Sequence, residues 1–408
     1  MKSQREFPRL VISPKGTRWV EQGHPWIYEA EVVSGGEDAE NGVLVDAVSE
    51  KGKYLGTGFL SRKSKIRVRL ISRNANDRFD AAFWKRRIKY AWDYRRTVMG
   101  GDISCCRVIF GEADGIPGLT VDYYDGIVSV QVLSYGIEMR KDMIFRALIG
   151  ELLRRNMKFS GIFERNDVAI RELEGLEEYK GWYERDFAPH VSSPVTEIKE
   201  NGIIYKVDVE NGQKTGFFLD QKYNRLAVSK IAKGKKVLDC FTHTGSFALN
   251  AAMGGAAHVT AVDVSSQAIE TAKANAARNG LDGRMDFLCT DVFDLLPSLC
   301  ESRADYDMII LDPPAFTKSR KTIFGAERGY KEINYRAMKL LPRGGYLATC
   351  SCSHFMDNRL FVRMLESAAA DVDVSLKLIE ARRQSPDHPT LLSVPETDYL
   401  KFYLFQII

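Results

Sequence analysis

The segment Lys236–Asp263, KVLDCFTHTGSFALNAAMGGAAHVTAVD, decides the fold class of this chain. A short apolar run ends at Asp239, a turn follows at Phe241–Gly245, and an alanine-rich segment leads into a second apolar run that ends at Asp263. This order predicts strand, tight turn, helix and strand, which is one βαβ unit of an α/β domain. In such sheets ligands bind outside the carboxyl ends of the strands, and an acid about twenty residues past the first turn commonly holds ribose hydroxyls. The pattern therefore predicts a nucleoside-bearing cofactor.

The turn narrows the class of cofactor. A dinucleotide site needs G-x-G-x-x-G, because the pyrophosphate lies against bare backbone at a helix N-terminus. Here only Gly245 remains, and Asp239 stands where the diphosphate would lie. A carboxylate repels phosphate but accepts hydrogen bonds from an ammonium group. The D-x-F-x-x-T-G turn resembles the first motif of class I S-adenosylmethionine-dependent methyltransferases; the alternative is an ordinary turn without a ligand.

Length and composition predict a globular protein of several domains. The chain has 408 residues, 45% hydrophobic and 27% charged, which is too long for one compact core. We expect a small β domain at residues 1–72, an α+β middle domain at 73–200 and a Rossmann-like domain at 201–408. The polar start MKSQREFPRL is unlike a signal peptide, and no apolar run approaches a membrane span, so a cytoplasmic protein is expected. Seven scattered cysteines without a C-x-x-C pair favour reduced thiols and no metal site.

The positive charge is concentrated at the front of the chain. Residues 1–100 hold 20 Lys and Arg against 12 Asp and Glu, while the whole chain has a net charge of only +4. Such asymmetry favours a polyanionic partner, most simply nucleic acid, with solvated surface charge as the alternative. If residues 66–70 form a strand, Lys65, Arg67 and Arg69 lie on one face, where they would follow a phosphate backbone. Trp26 either stacks on a base or belongs to the core.

The middle of the chain predicts one clear helix and one unusual loop. Apolar residues at helical spacing indicate an amphipathic helix with a basic face from Asp80 to about Met99. Strands at 107–110, 119–123, 127–132, 162–165 and 203–209 and a helix near 140–156 complete the α+β domain. The loop Asn211–Gln221 carries two glycines and two adjacent phenylalanines. It is interpreted as a lid whose Phe218 covers a bound nucleoside, or as a hinge packed by its own aromatic residues.

After Asp263 the chain continues to place polar groups at predicted strand ends. Ser265 or Ser266 is expected to cap a helix that ends before Asn279-Gly280. Further strands lead to Asp291, which suits the adenine end of a nucleoside, to Asp312-Pro313-Pro314, and to Cys350 and Cys352. Successive prolines stiffen a loop and remove its donors, so its carbonyls are available to a planar base. The D-P-P motif therefore predicts a planar substrate but not the atom that is modified.

The thiols favour carbon methylation. C5 of a pyrimidine is too weak a nucleophile to attack a methyl sulfonium until a thiolate has added to C6. A cysteine at the end of a strand beside the D-P-P strand is placed for that addition. Either thiol alone is equally consistent with a buried structural cysteine.

From the basic β domain to the C-terminus the chain resembles the RlmI-type class I methyltransferases, which act on cytosine C5 of large-subunit ribosomal RNA. The resemblance rests on Gly23–Trp26, Gln213–Gln221, Asp239–Gly245, Asp312–Phe316 and Ser351–Ser353. It implies an N-terminal PUA domain, a Rossmann-like catalytic domain and S-adenosylmethionine as cofactor, with 23S ribosomal RNA as partner. Cys352 is then the nucleophile, with Asp312 and Cys350 as further catalytic candidates. The implied cofactor contacts are Phe218, Asp220, Gln221, Asp239, Phe241, Thr244, Gly245, Asp263, Asp291 and Asp312.

The sequence also permits several different functions. Guanine-N7 methyltransferases of the same architecture share two of these motifs but have Asn in place of the last cysteine, so Cys352 favours C5. Larger RNA cytosine-C5 enzymes carry a second cysteine just after the prolines that correspond to the D-P-P motif, whereas this chain has Ala315 at that position. Uracil C5 as the target, a nicotinamide-dependent oxidoreductase and a non-catalytic RNA-binding module also stay open. The sequence does not fix the oligomeric state, and a homodimer is one of the states it permits.

Overall fold

The computed structural model describes residues 5–317 and 319–408, so the first four residues of the polar N-terminal segment lie outside the description. The chain divides into two compact units, each built from several segments of sequence. Unit 1 comprises Met1–Ile198, Lys206–Leu219 and Pro386–Thr397, and unit 2 comprises Lys199–Tyr205, Asp220–Ser385 and Asp398–Ile408. Within the described residues, no helix has the length and hydropathy that crossing a membrane requires.

The N-terminal part of unit 1 is a mixed, mainly antiparallel sheet. Its described strands are β1 (Arg9–Ile12), β2 (Trp26–Tyr28), β3 (Val32–Ser34), β4 (Leu44–Ser49), β5 (Tyr54–Leu60) and β6 (Ile66–Ser72). They are ordered β2-β6-β5-β4-β1-β3, with β1 parallel to β4 and the other neighbours antiparallel. One face packs an apolar core around Ile12, Ile27 and Val68. Helix α1 (Pro14–Glu21), which begins at the N-cap Ser13, was not predicted.

The helix expected from Asp80 to about Met99 is confirmed as α2 (Ala81–Val98). The Asp80 carboxylate caps it by accepting a hydrogen bond from the Phe83 amide at 3.0 Å, which satisfies one of the free amides of the first turn. Phe83, Trp84, Ile88 and Trp92 are fully buried. The apolar stripe at helical spacing therefore faces the core of unit 1. The residues of the predicted basic face are exposed except Arg95, which is fully buried and forms an ion pair with Asp114.

A second sheet of unit 1 contains the strands predicted for the middle of the chain. Its members among the described residues are β7 (Cys105–Phe110), β8 (Leu119–Tyr124), β9 (Ile127–Val132), β10 (Gly161–Arg165) and β11 (Lys180–Trp182). They are ordered β11-β10-β9-β8-β7, and only the β9–β10 pair is parallel. That parallel pair is joined through helices α3 (Tyr135–Glu138) and α4 (Lys141–Arg154). The hairpin of β12 (Val195–Glu200) and β13 (Ile203–Asp208) follows.

Unit 2 is built on a doubly wound sheet, as the opening βαβ segment predicts. Its described strands are β14 (Lys236–Cys240), β15 (His258–Asp263), β16 (Met285–Cys289), β17 (Met308–Leu311), β18 (Tyr346–Ser351), β19 (Leu376–Arg382) and β20 (Lys401–Ile407). The order is β16-β15-β14-β17-β18-β20-β19. Neighbouring strands from β16 to β18 are parallel, whereas β20 is antiparallel to both of its neighbours, β18 and β19. The chain winds in one direction from β14 to β15 and β16 and later reaches β17 on the other side. The carboxyl end of β14 is therefore the switch point of the sheet, where a crevice opens.

The helices of unit 2 connect these strands. They are α5 (Lys222–Ile231), α6 (Ser246–Met253), α7 (Ser266–Arg278), α8 (Val292–Ser302), α9 (Ile323–Leu340) and α10 (Asn358–Val372). Ser265 caps α7 by accepting from the Ala268 amide at 3.2 Å, which confirms the first of the two predicted caps. Helices α8, α9 and α10 pack side by side over one apolar core of the sheet, and α5 packs against α6.

One ion pair of unit 2 is fully buried. Arg225 of α5 donates to the two carboxylate oxygens of Glu200 at 2.7 and 3.0 Å, and both side chains are at most 1% exposed. Two charges taken out of water are stabilised by each other only while both are present. The pair therefore holds the start of the β12–β13 turn to α5.

Replacing Glu200 by alanine should destabilise unit 2 by about 3–5 kcal/mol, because it leaves the Arg225 guanidinium buried and uncompensated. The double replacement Glu200→Leu with Arg225→Met should recover most of that loss. Urea unfolding followed by far-ultraviolet circular dichroism measures both variants. All five tryptophans lie within residues 19–182, which belong to unit 1. The tryptophan fluorescence transition therefore reports the unfolding of unit 1 and serves as the internal control. Equal destabilisation by the single and double variants would contradict the interpretation.

Candidate functional site

Carboxyl groups gather at the switch point of the unit 2 sheet. Asp239 is near the end of β14, Asp263 ends β15, and Asp312 directly follows β17. Asp220, in the turn before α5, raises the pKa of Asp312, so it belongs to the same group. Parallel strands bring residues distant in sequence to one edge of the sheet. The structure thus brings the strand-end acids Asp239, Asp263 and Asp312 close together, and Asp220 of the predicted lid joins them.

Asp239 is the most constrained of these acids. Its side chain is fully buried, and its Oδ2 atom accepts hydrogen bonds from Thr242 Oγ1 at 2.6 Å and from the Ala248 amide at 2.9 Å. Its Oδ1 atom is buried with no hydrogen-bond partner among the described residues. Burial raises the pKa of Asp239 to about 7, and the charges of Asp312 and Asp263 add to the effect. A buried carboxylate oxygen without a partner is costly, and a cationic donor placed there would relieve that cost.

The turn after β14 is held in an uncommon backbone conformation. Phe241 and His243 have positive φ values of 65° and 51°, a region that residues with a side chain rarely adopt. Gly245 has a φ of 80°, and a Cβ atom there would lie 3.0 Å from the Cβ of Ala272. The hydroxyl of Thr244 is buried without a hydrogen-bond partner in the described part of the chain. Strained residues of this kind concentrate at ligand sites, where the surrounding structure maintains them.

The next two acids are oriented by backbone amides. Asp263 accepts a hydrogen bond from the His243 amide on one oxygen and from the Ser265 amide on the other, both at 2.9 Å. It is partly exposed, and a carboxylate can accept further bonds on each oxygen. Asp291 is exposed and caps α8 by accepting from the Phe293 amide at 2.8 Å. The capping of α8 explains why an acid follows this strand. Contact between Asp291 and adenine stays a prediction.

Asp312 is the centre of a second hydrogen-bonded group. Its Oδ1 atom accepts from Gln221 Nε2 at 3.0 Å, and the Cys350 thiol lies close enough for the two groups to affect each other's pKa. Burial and the nearby charge of Asp220 raise the pKa of Asp312 to about 6. Asp220 in turn accepts from the Tyr399 hydroxyl at 2.6 Å. The last two residues of the predicted lid motif are therefore integrated into the carboxyl edge of unit 2.

The rest of the lid motif belongs to unit 1. Phe217 is buried, and its carbonyl accepts from the Tyr124 hydroxyl at 3.2 Å. Phe218 is partly exposed, and the Lys214 ammonium lies 4.4 Å from the centre of its ring. Arg165 donates to the carbonyls of Val209 and Gly212 at 2.8 Å. The charged segment around Arg165 thus anchors the start of this loop, whereas contact between Phe218 and a nucleoside stays a prediction.

The two thiols occupy different environments although they are two residues apart. Cys350 lies within β18 and is fully buried, and burial together with Asp312 raises its pKa well above the ordinary value. Cys352 lies just beyond the last residue of the strand and is partly exposed. Its Sγ atom is 4.0 Å from the carbonyl oxygen of Pro313, in the D-P-P loop. Of the two, only Cys352 reaches solvent beside that loop.

A lysine that the sequence did not single out lies beside Cys352. Lys401 pairs with Ser351 across the β18–β20 ladder, and its ammonium donates to the Ser353 carbonyl at 2.7 Å. Burial lowers the pKa of Lys401 to about 8, and a thiolate at Cys352 acts in the opposite direction. Lys401 is therefore mostly charged at pH 7, and a cation near a thiol favours the thiolate. A single lysine at the start of an apolar strand carries no sequence signal of this role.

Alkylation of the folded protein should distinguish the thiols. With iodoacetamide at pH 7, we expect Cys352 to be modified and the buried Cys350 to be protected. The substitution Lys401→Met should slow the modification of Cys352 several-fold, because the thiolate loses its cation. The exposed Cys289 is the control and should react at an unchanged rate. Peptide mass spectrometry over time gives each rate, and faster labelling of Cys350 than of Cys352 would refute the assignment of environments.

The predicted RNA-contacting residues lie in unit 1, where two of the cations are neutralised. Arg67 forms an ion pair with Glu29, and Arg69 donates to Glu174 at 2.6 Å. Lys65 is exposed just before β6. Trp26 is partly buried, and its indole nitrogen donates to Glu112 at 3.0 Å. Arg67 and Arg69 therefore carry much less free charge than the sequence suggests, and contact of these residues with RNA stays a prediction.

Comparison with known proteins agrees with this architecture. A family model for S-adenosylmethionine-dependent methyltransferases matches residues 187–406, and one for PUA-like domains matches residues 10–73. The chain is 38% identical over 404 residues to a Klebsiella pneumoniae protein named ribosomal RNA large subunit methyltransferase I, covering 98% of this chain and 99% of that protein. An Escherichia coli protein of the same name is 36% identical over 402 residues, with the same coverage.

Solved structures show the same fold over nearly the whole chain. A Streptococcus mutans protein described as a SAM-dependent methyltransferase superposes with a TM-score of 0.80 at 22% identity, covering 98% of this chain and 99% of its own. A methyltransferase structure in complex with SAH superposes with a TM-score of 0.81, with the same identity and coverage. The family match over the catalytic unit and the near full-length identity to the curated relatives lead to one conclusion. This chain belongs to the family of S-adenosylmethionine-dependent ribosomal RNA large subunit methyltransferases I, with a PUA-like N-terminal domain and a Rossmann-like catalytic domain.

Proposed function

We propose that this chain transfers a methyl group from S-adenosylmethionine to C5 of a cytosine in 23S ribosomal RNA through a covalent adduct with Cys352. The observation that carries the proposal is the position of Cys352. Its thiol is partly exposed, faces the stiff Asp312-Pro313-Pro314 loop and lies beside the Lys401 ammonium. The names of the curated relatives support large-subunit ribosomal RNA as the substrate.

The carboxyl edge of unit 2 fits the cofactor. The partnerless Oδ1 atom of Asp239 suits an ammonium donor, and the amide-oriented carboxylate of Asp263 suits ribose hydroxyls. Gly245 keeps the turn clear of a side chain. S-adenosylmethionine supplies an electrophilic methyl group. The remaining proposed contacts are Phe218, Asp220, Gln221, Phe241, Thr244, Asp291 and Asp312.

Cys352 makes the base reactive. Its thiolate adds to C6 of the cytosine, a C6–S bond forms, and the electrons of the C5=C6 double bond become available at C5. C5 then takes the methyl group, whose bond to the sulfonium sulfur breaks, with S-adenosylhomocysteine as the leaving group. A base next removes the C5 proton, the double bond re-forms, and the C6–S bond breaks to return the thiolate. Lys401 stabilises that thiolate before attack and after release. Carbonyls of the D-P-P loop hold the ring in plane.

The proton acceptor in the last step is proposed to be Asp312. The pKa of Asp312 is about 6, so it is mostly ionised at neutral pH. Cys350 is less suited to this step because its raised pKa keeps it a thiol, and it is fully buried. We assign Cys350 the role of a hydrogen-bond donor that orients Asp312. We also propose that the protein is cytoplasmic and that it has three domains, at residues 1–72, 73–200 and 201–408.

Cofactor affinity should fall as the pH is lowered through 7. In the free protein Asp239 binds a proton with a pKa of about 7, and an ammonium group can pair only with the carboxylate, so protonation competes with binding. Between pH 7.5 and 5.5 the affinity for S-adenosylhomocysteine, which keeps the ammonium group, should decrease roughly tenfold to thirtyfold. Titration calorimetry measures it.

Two variants control this experiment. Asp239→Asn should bind weakly and with little dependence on pH. Asp263→Ala should lose about 1.5–3 kcal/mol of binding free energy at every pH, the scale of hydrogen bonds to a charged group, and should keep the pH dependence. A flat profile in the unaltered protein would remove Asp239 from the ammonium site. Unchanged affinity in Asp263→Ala would remove Asp263 from the ribose site.

Replacement of the nucleophile should separate chemistry from binding. Cys352→Ala should lower methyl transfer by about a thousandfold or more, the scale for loss of a covalent nucleophile, while leaving S-adenosylhomocysteine affinity nearly unchanged. Cys350→Ala should reduce turnover much less. Product is measured by mass mapping of the methylated ribosomal RNA.

RNA that contains 5-fluorocytosine tests the same mechanism independently. Fluorine replaces the removable C5 proton, so a denaturation-resistant protein–RNA adduct should accumulate with the unaltered enzyme and not with Cys352→Ala. An adduct that forms in Cys352→Ala but not in Cys350→Ala would reverse the assignment. Full activity in both variants would exclude the C5 mechanism in favour of another target, such as guanine N7. Methylated uridine in the mapped RNA would instead identify uracil C5, and binding of RNA without any methyl transfer would indicate a non-catalytic module.

A further inference from the structure

An open groove in unit 1 lies between the end of β6 and the exposed face of α2. Its volume is about 480 Å³, which is within the range of ligand sites. Polar and charged side chains dominate its lining: Arg73, Asn74, Asp77, Arg86, Arg87 and Tyr90. The residues that line the groove belong to unit 1, and none of them takes part in the chemistry proposed above.

The groove carries a surplus of positive charge. Three arginines face one acid, Asp77, which pairs with Arg86 at 2.7 Å and accepts from the Ser72 hydroxyl at 2.6 Å. Arg87 donates to the Ile71 carbonyl at 2.8 Å and lies over the Phe83 ring. Within the part of the chain that the structure describes, neither Arg73 nor Arg87 has an acidic group within ion-pair distance. Neither guanidinium group is thus neutralised by an ion pair, and Arg73 is exposed whereas Arg87 is partly exposed.

Aromatic side chains accompany these cations along α2. Arg86, Tyr90 and Tyr94 follow one another at intervals of four residues and so lie on one stripe of the helix. The exposed fractions are 57% for Tyr90 and 38% for Tyr94. Exposed aromatic rings beside arginines are typical of proteins that bind single-stranded nucleic acid, because bases stack on the rings while cations contact phosphates.

The row on β6 is less suited to this task. Arg67 and Arg69 are each paired with a glutamate, so binding a phosphate there requires breaking an existing ion pair. Arg73 and Arg87 have no such competitor within the described residues. The groove therefore offers arginines that are not neutralised by an ion pair, whereas the two arginines of β6 are neutralised.

We propose that this groove, lined by Arg73, Arg87 and Tyr90, binds a single-stranded segment of the RNA substrate. Arg73 and Arg87 contact phosphates, and Tyr90 stacks on a base. The inference rests on the proposed function only in taking RNA as the substrate. It does not depend on which atom is methylated.

Equilibrium binding of an oligocytidine RNA of about 12 nucleotides tests the proposal with the full chain, a length chosen from typical single-strand site sizes. Tyr90→Leu should weaken binding fivefold to a hundredfold, the usual range for loss of one base stack. Arg73→Gln should lower the slope of log affinity against log salt concentration by about 0.7, as expected when one phosphate contact to a single strand is lost. A duplex of the same length should bind less tightly and should not respond to Tyr90→Leu.

Arg96→Gln is the matched control, since Arg96 is exposed on the same helix and outside the groove. It should bind the oligonucleotide almost as tightly as the unaltered protein. The urea transition followed by tryptophan fluorescence should be the same in all variants, which shows that unit 1 is folded, because all tryptophans lie within residues 19–182. Unchanged binding in both Tyr90→Leu and Arg73→Gln, or an equal loss in Arg96→Gln, would overturn the proposal. If the groove variants lose RNA affinity while Cys352→Ala keeps full activity, only the C5 mechanism fails.

Discussion

The buried carboxyl group of Asp239 is the constraint on which the catalytic unit depends. The parallel sheet places it at the switch point, and two hydrogen bonds satisfy only one of its oxygens among the described residues. Its pKa of about 7 means that the free protein is divided between a neutral and a charged form near neutral pH. A ligand with a cationic donor stabilises the charged form of Asp239, because it supplies both the missing hydrogen bond and the compensating charge. Binding and stability of this unit are therefore linked through one atom.

Local signals were sufficient for the elements that form from neighbouring residues. The apolar runs at β14 and β15, the turn with Gly245 and the cap at Ser265 each lie within a few residues of the structure that they specify. The α2 helix was equally clear because its apolar spacing, its cap and its basic face agree with one another. The acids at strand ends could be interpreted as one site because parallel strands bring their carboxyl ends to the same edge of the sheet. That rule requires no knowledge of side-chain contacts.

Contacts between distant residues could not be predicted in the same way. The antiparallel pair β19 and β20 closes the sheet from the C-terminus, and nothing in its local pattern shows that β20 joins β18. Arg69 of β6 appeared available because its partner Glu174 lies more than a hundred residues away in sequence. Helix α1 was missed because it is short and follows a strand after a single residue. For the closure of the sheet and for the cations of β6, the decisive partner comes from another part of the chain.

The two thiols show how one strand boundary separates structure from chemistry. Cys350 and Cys352 have the same spacing as residues on one face of a strand, yet β18 ends between them. Cys350 therefore stays inside the sheet as a partner of Asp312, while Cys352 emerges beside the D-P-P loop. The environment of Cys352 is completed by Lys401 of β20, which the antiparallel closure of the sheet brings to it. A thiol, a stiff loop and a buried cation are thus supplied by three different strands. Because their meeting depends on the pairing of β17, β18 and β20, correct closure of the C-terminal sheet is a precondition for the reactivity of Cys352.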